Sequence, residues 1–280
     1  MRPVMPFIVG CGRSGNTLLR LMLDSSPDMA IPPETEVVVA AAQAGGGAET
    51  FCSTVTGHWR FTDMHVDADL FRHRVESLRP FSTAQGLREL YRCYAEKFGK
   101  TRYGDKTPYY SAHLPLIASL FPEARAIHII RDGRAVAASM LPLWFGPNDA
   151  AEMGRYWSDV IRTIRATATM PIMEVRYESL LLQPEVELRR ILEFCELEWH
   201  DAVLSYHQRA LDRVHEVTMD AQSADGVVSA PVSRRHEIHR RVGCPPDPSR
   251  IDSWHEELSP ADLAAFMHHA EPLMHELGYV

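Results

Sequence analysis

The residues Phe7–Leu23, FIVGCGRSGNTLLRLML, run from an apolar strand-like stretch through closely spaced glycines into a helical pattern. Gly10, Gly15 and Thr17 fit the phosphate-loop spacing G-x4-G-K-[ST], with Asn16 in the place of the lysine. A strand that turns on glycine into a helix presents unpaired backbone N–H groups to an anion, and Ser14 and Thr17 add hydroxyl donors. Asn16 brings no charge, but Arg13 lies within the loop, and its guanidinium fork suits two oxygens of one phosphate. A strand–helix turn without a ligand has the same spacing.

A second cluster follows the same logic. ARAIHIIRDGRAVAASM predicts a strand over 125–130, a turn at Asp132-Gly133 and then a helix. Arg131 stands at the strand end and Ser139 eight residues on, about two helical turns in. Strand ends on one edge of a parallel sheet share a crevice, so two anion sites would face the same ligand. A nucleotide with phosphates at two different positions fits that arrangement; for Arg131 alone a surface Arg–Asp turn is the alternative. A P-loop kinase or NTPase is the competing reading. Against it stand the missing lysine and the flanking of Asp132 by Arg131 and Arg134, which oppose a metal.

The elements that must carry these loops are legible in outline. Residues 5–10 read as a buried strand, 15–25 as a helix, 43–57 as a flexible loop and 67–99 as helical. A third strand is expected over 172–175, an amphipathic helix from Pro184, and a last helix with Ser259 as N-cap and Pro260 at its first position. The stretch 223–250 is dense in arginine and has no apolar periodicity. Alternating strands and helices imply an α/β fold, a P-loop-like central parallel sheet flanked by helices, as a single domain over 1–280. Hydrophobic residues make up 45% of the chain, enough for a sizeable core, and the net charge of −8 argues against nucleic acid or an anionic membrane surface as the main partner. Five scattered cysteines form no C-x-x-C pair, so neither a disulfide framework nor a zinc site is suggested. The first strand begins too early to leave room for a signal peptide, and no run approaches the roughly 18 apolar residues of a membrane span. The expected location is the cytoplasm.

FIVGCGRSGNTLLRLMLDSSPDM, FPEARAIHIIRDGRAVAASM and VRYESLLLQPEVELRRILEF together resemble the sulfotransferases that use 3′-phosphoadenosine 5′-phosphosulfate (PAPS). The pattern is that of the tyrosylprotein sulfotransferase type and its bacterial relatives, and it extends to the C-terminal ELGY, thinning across 38–100 and 140–170. PAPS has no γ-phosphate, and the family needs no magnesium, so the absent lysine ceases to be an anomaly.

The resemblance implies that Arg13, Ser14, Gly15, Asn16 and Thr17 hold the 5′-phosphosulfate, with Arg13 also neutralising the leaving phosphate. It implies that Arg131 and Ser139 bind the 3′-phosphate and that Tyr177 lies near the adenine. It places Arg241, with Arg234 in the loop before it, where a C-terminal basic residue reaches the cofactor; Arg250 is a third candidate. Glu34 matches the catalytic glutamate, and Lys106 the lysine that stabilises charge on the bridging oxygen. By residue type alone, Glu34 reads as a loop glutamate and Lys106 as the partner of Asp105 in an exposed ion pair. The pattern is broken at Leu143, where a basic residue is expected, at Asn16, and at Glu36, which stands in place of an arginine and reverses its charge. The implied partner is therefore a hydroxylated acceptor, a small metabolite, sugar or lipid rather than an acidic peptide. Phe51, Trp59, Trp144 and Phe145 are candidates to line its pocket. Nothing in the chain sets an oligomeric state.

Overall fold

The computed structural model describes residues 2–222 and 226–280. Strands β1 (Met5–Val9), β2 (Met29–Ala30), β3 (Arg102–Tyr103), β4 (Asp105–Lys106), β5 (Ala124–Ile130) and β6 (Ile172–Arg176) follow in chain order. Of these, β4, β1, β5 and β6 lie side by side in that order, all parallel, while β2 and β3 pair apart. β1 is buried along its whole length because it is central, with Phe7 opposite Asp105 on one side and Met5–Val9 registered on Ala124–His128 on the other. A strand covered on both faces has no place for polar alternation, which is why MPFIV reads as a continuous apolar run.

Helices α1 (Asn16–Asp24), α2 (Val37–Ala44), α3 (Ala48–Gly57), α4 (Trp59–Met64), α5 (Ala68–Ser77), α6 (Thr83–Glu96), α7 (Leu114–Leu120), α8 (Gly133–Met140) and α9 (Ala150–Thr167) cover the sheet. The pleat divides β1 between two cores: Phe7 and Val9 pack with the α2–α6 side, and Ile8 with α1 and the helix Pro184–Phe194. A third cluster joins α8 and α9 to the last helix, Pro260–Glu276, around Trp157 and Phe266. Ser259 caps that last helix as expected, its hydroxyl accepting from the Asp262 N–H at 3.1 Å. From β1 the chain crosses first to β4 on one side, then to β5 and β6 on the other. The reversal at β1 opens a crevice at the carboxyl ends of the strands, where α/β sheets hold their ligands. Among the described residues, no helix is long and apolar enough to cross a membrane.

Two expectations need correction here. The span 43–57 is not one flexible loop: after the Gly45–Gly47 connection, α3 forms and buries Phe51, Cys52 and Val55. Its threonines, serine and terminal glycine are poor helix formers, and packing overrides them; the Phe51 ring lies 5.4 Å from Phe81 and 6.1 Å from Phe71. Residues 223–225 lie outside the described residues. The rest of 223–250 carries a short strand, Val228–Ala230, a helix, Val232–Glu237, and two 3₁₀ turns, all folded over the crevice.

Candidate functional site

Each sheet strand delivers one part of the site at its carboxyl end. β1 leads into the glycine loop, β4 ends on Lys106, β5 is followed by Arg131 and β6 by Tyr177. They border one cavity of about 1070 Å³, large enough for a nucleotide together with an acceptor. In the loop, Gly10 has φ +145°, and a Cβ there would come within 2.5 Å of the Ile129 carbonyl oxygen. Gly15, at φ +103°, lies against Tyr177 so closely that a Cβ would stand 2.4 Å from its ring. These two positions need glycine. The loop then opens α1, whose first-turn N–H groups have no partners within the helix. Thr17 lies half-buried at the cavity wall, and Ser14 is buried behind it.

Arg13 and Arg131 converge, as the two-anion reading requires. Arg13 Nε donates to Ser139 Oγ at 3.1 Å and its Nη2 to the Ile238 carbonyl at 3.0 Å. Arg131 Nη1 donates to the Arg13 carbonyl at 3.1 Å, its guanidinium lies 4.5 Å from the Tyr177 ring centre, and its buried Nε–H has no partner among the described residues. Burial, Arg131 and Arg241 together hold Arg13 below the usual guanidinium range, at about 10. Cations are thus crowded together with too few anions, the electrostatic condition of a site that receives a polyanion. Asn16 also braces the loop: its side-chain amide donates one hydrogen to the Cys11 carbonyl at 2.8 Å.

Across the crevice Lys106 Nζ meets Glu34 Oε1 at 2.7 Å. The expected partner, Asp105, points the other way because neighbours on a strand face opposite sides. It is fully buried, and its Oδ2 accepts from the Tyr91 hydroxyl at 2.8 Å and the Thr35 hydroxyl at 2.9 Å. Thr35 N–H also donates to Thr107 Oγ1 at 3.1 Å, and the Thr35 and Tyr110 hydroxyls are 2.8 Å apart. Asp105 therefore anchors the turn that carries Glu34, while its neighbour Lys106 meets the Glu34 carboxylate. Despite a burial cost, Lys106 and then Arg60 hold Glu34 well below the usual carboxylate range. Burial lowers Lys106, with Glu34 opposing that shift.

Burial raises Asp105 from 3.8 to about 6, with its hydroxyl donors opposing the shift. A raised folded-state value means that stability from this group is fully present below the unfolded value and is lost as pH climbs through about 6. Asp105→Asn removes that dependence. Urea denaturation should show the variant gaining on the wild type by about 1–3 kcal/mol between about pH 4 and pH 7.

The segment over the crevice supplies residues that sequence reasoning missed and excludes one it chose. Arg234 is exposed and outside the cavity, because the short helix Val232–Glu237 turns it to solvent. Its neighbour Arg235 points inward, and is bound to the buried Asp63 at 2.8 Å. Arg241 and Arg250 border the cavity, Arg250 also pairing with Glu257 at 2.6 Å. His239 enters between Lys106, Arg13 and Glu34; burial and then the two cations hold its imidazole neutral. RRHEIHRR contains no periodicity that would single it out. Trp59, Trp144 and Phe145 border the cavity as expected and Tyr156 joins them, whereas Phe51 is core. Leu143 lies in the turn after α8, its N–H donating to the Met140 carbonyl at 2.9 Å. Glu36 does not present a bare reversed charge, since Arg60 Nη2 donates to it at 2.6 Å.

A family model described as Sulfotransferase family matches residues 6–201. Protein-tyrosine sulfotransferase 1 of Danio rerio is 28% identical over 98% of this chain and 71% of its own length. Protein-tyrosine sulfotransferase A of Caenorhabditis elegans is 25% identical over 98% of this chain and 66% of its own length. For the Drosophila melanogaster protein-tyrosine sulfotransferase the figures are 26%, 98% and 51%. The chain thus spans between half and about seven-tenths of the length of these curated relatives. Among solved structures, the sulfotransferase domain of the Synechococcus PCC 7002 olefin synthase superposes with a TM-score of 0.64 at 21% identity, covering 98% of this chain and 96% of that domain. The sulfotransferase domain of the curacin biosynthetic pathway gives 0.59 at 19% identity, covering 97% and 98%. These two likenesses show the fold.

Proposed function

The chain belongs to the sulfotransferase family, and from that premise we propose that it transfers a sulfuryl group from PAPS to an acceptor hydroxyl, with Glu34 as general base. The observation that carries the reading is the placement of the Glu34–Lys106 pair in one cavity with Arg13 and with Arg131, whose buried Nε–H has no partner among the described residues. The donor set fits a molecule with phosphates at two positions: a helix-opening glycine loop with Arg13 for one, Arg131 and Ser139 for the other. PAPS supplies the sulfuryl group and departs as adenosine 3′,5′-bisphosphate. Tyr177 provides a face for the adenine, and Arg241 or Arg250 closes over the nucleotide. The charge is met by arginines and Lys106, so the reading calls for no metal.

In the transfer step Glu34 takes the proton of the acceptor hydroxyl as its oxygen bonds to sulfur and the sulfur–phosphate oxygen bond breaks. Lys106 stabilises the charge left on that oxygen, as a cation already in place and shielded from water. Trp59, Trp144, Phe145 and Tyr156 give the acceptor an apolar seat, favouring a small hydroxylated metabolite, sugar or lipid. The second acceptor reading, a peptide tyrosyl hydroxyl, is favoured by the names of the relatives and by the Arg60–Glu36 pair, which removes the charge objection.

Calorimetry tests the donor site. Adenosine 3′,5′-bisphosphate should bind without metal and more tightly than ATP–Mg²⁺; metal-dependent preference for ATP would overturn the assignment. Arg131→Met should weaken the bisphosphate by about 10- to 100-fold, the loss of a charge-assisted contact, while adenosine 5′-monophosphate changes little. A panel of sugars, lipids, phenols and tyrosyl peptides with ³⁵S-labelled PAPS separates the acceptor classes.

A further inference from the structure

Arg60 of α4 stands between two carboxylates and treats them unequally. Its Nη2 donates to Glu36 Oε1 at 2.6 Å, but comes only within 3.3 Å of Glu34 Oε2. The guanidinium is mostly buried and lies 4.2 Å from the Trp59 ring centre, so its position is fixed by an aromatic face as well as by charge. Glu36 adopts φ +56°, a conformation that side-chain-bearing residues rarely take. It occupies the turn residue directly before α2, and from there its carboxylate accepts from Arg60. The other oxygen of Glu34 is taken by Lys106 at 2.7 Å. Oε2 is therefore the oxygen left to meet a hydroxyl proton.

We propose that Arg60 is a positioning residue for Glu34 and that Glu36 is its restraint: by claiming the hydrogen bond from Arg60, Glu36 leaves Glu34 Oε2 oriented but uncapped. This rests on the reading of Glu34 as general base. Without Glu36, the guanidinium is free to close the 3.3 Å gap and donate to Oε2, occupying the lone pair that a proton must reach. Without Arg60, Oε2 loses its orientation and its nearest counter-charge apart from Lys106. The two removals thus push the proton affinity of Glu34 in opposite directions, although both impair transfer. Glu34 faces Lys106 from β4, Arg60 from α4, Arg13 from the glycine loop, Tyr156 from α9, and His239 and Arg235 from the overlying segment. Apart from Arg60 itself in the variant that removes it, and Lys106, which the test background lacks throughout, these groups are the same in both variants.

The test is a ¹³C NMR titration of the Glu34 side-chain carboxyl in protein labelled at glutamate Cδ, assigned by its loss in Glu34→Gln. It is run in a Lys106→Met background, which removes the strongest pull on Glu34 and brings its titration into a workable pH range. Added Arg60→Met should raise the midpoint by about one pH unit and added Glu36→Gln should lower it by a similar amount. Arg60→Lys should recover part of the shift, and it serves as the second variant should Arg60→Met fail to fold. Midpoints that move together, or not at all, overturn the proposal. Turnover by Glu34→Gln is the separate control: normal turnover sinks the general-base reading, whereas an inactive Glu34→Gln with unmoved midpoints sinks only the role of Arg60 and Glu36.

Discussion

Lys106→Ala is expected to lower kcat by about 10²- to 10³-fold while the affinity for adenosine 3′,5′-bisphosphate changes far less. The asymmetry follows from where the ammonium sits. Lys106 ends β4, next to the strand that opens the glycine loop, and is buried with its Nζ on Glu34. A buried cation is costly unless it is paired, and Lys106 is paired with Glu34 at 2.7 Å. Charge that builds on the departing oxygen during transfer gives it a stronger partner than the ground state does, which is the signature of an effect on kcat. The pH profile provides an independent mark. Lys106 holds the Glu34 value down, and in the proposed role Glu34 acts only when ionised, so activity should persist at pH values above that value. Removing Lys106 raises it, and the acid limb of kcat should move to higher pH. A defect confined to cofactor affinity, with kcat intact, would reduce Lys106 to a binding residue.

Glu34→Gln should bind the bisphosphate almost normally and turn over at least about 10²-fold more slowly, at the low end of what a positioned base contributes. The amide keeps the size of the side chain and an oxygen for Lys106, so the loss isolates the proton acceptor from the packing. It also removes the anion that opposes the lowering of Lys106, so whatever activity remains should lose its basic limb at lower pH than the wild type. His239 gives this experiment its sharpest alternative, because its imidazole is neutral and lies near the same charged groups. If Glu34→Gln were to retain turnover while His239→Gln lost it, the proton would pass to the histidine. The double variant Glu34→Gln/Lys106→Ala should fall well short of the product of the single losses, since the two side chains act as one pair.

The glycine loop, the strands beneath it and the convergence of Arg13 with Arg131 were legible in the sequence because each has a local cause. A buried central strand must be apolar throughout, and a turn against Ile129 or Tyr177 must be glycine. What was not legible depended on orientation. Asp105 and Lys106 are adjacent in the chain, and only the pleat decides that one enters the core and the other the crevice. The same holds for Arg234 and Arg235, separated by one helical step into solvent and interior. Helix α3 was hidden by its poor helix formers, since the aromatic contacts that stabilise Phe51 come from distant residues. His239 and Arg60 act through the fold alone: neither belongs to a motif, and each reaches the site because a separate segment packs across the strand ends.

Arg13 and Arg131 hold the overlying segment by the carbonyls of Ile238 and Arg250, not by any side chain there. Main-chain oxygens are the same whatever residue bears them. A change of side chain at position 238 therefore leaves its contact with Arg13 in place. On the proposed reading, the roof can vary at positions other than Arg241 and Arg250 while these two main-chain contacts persist.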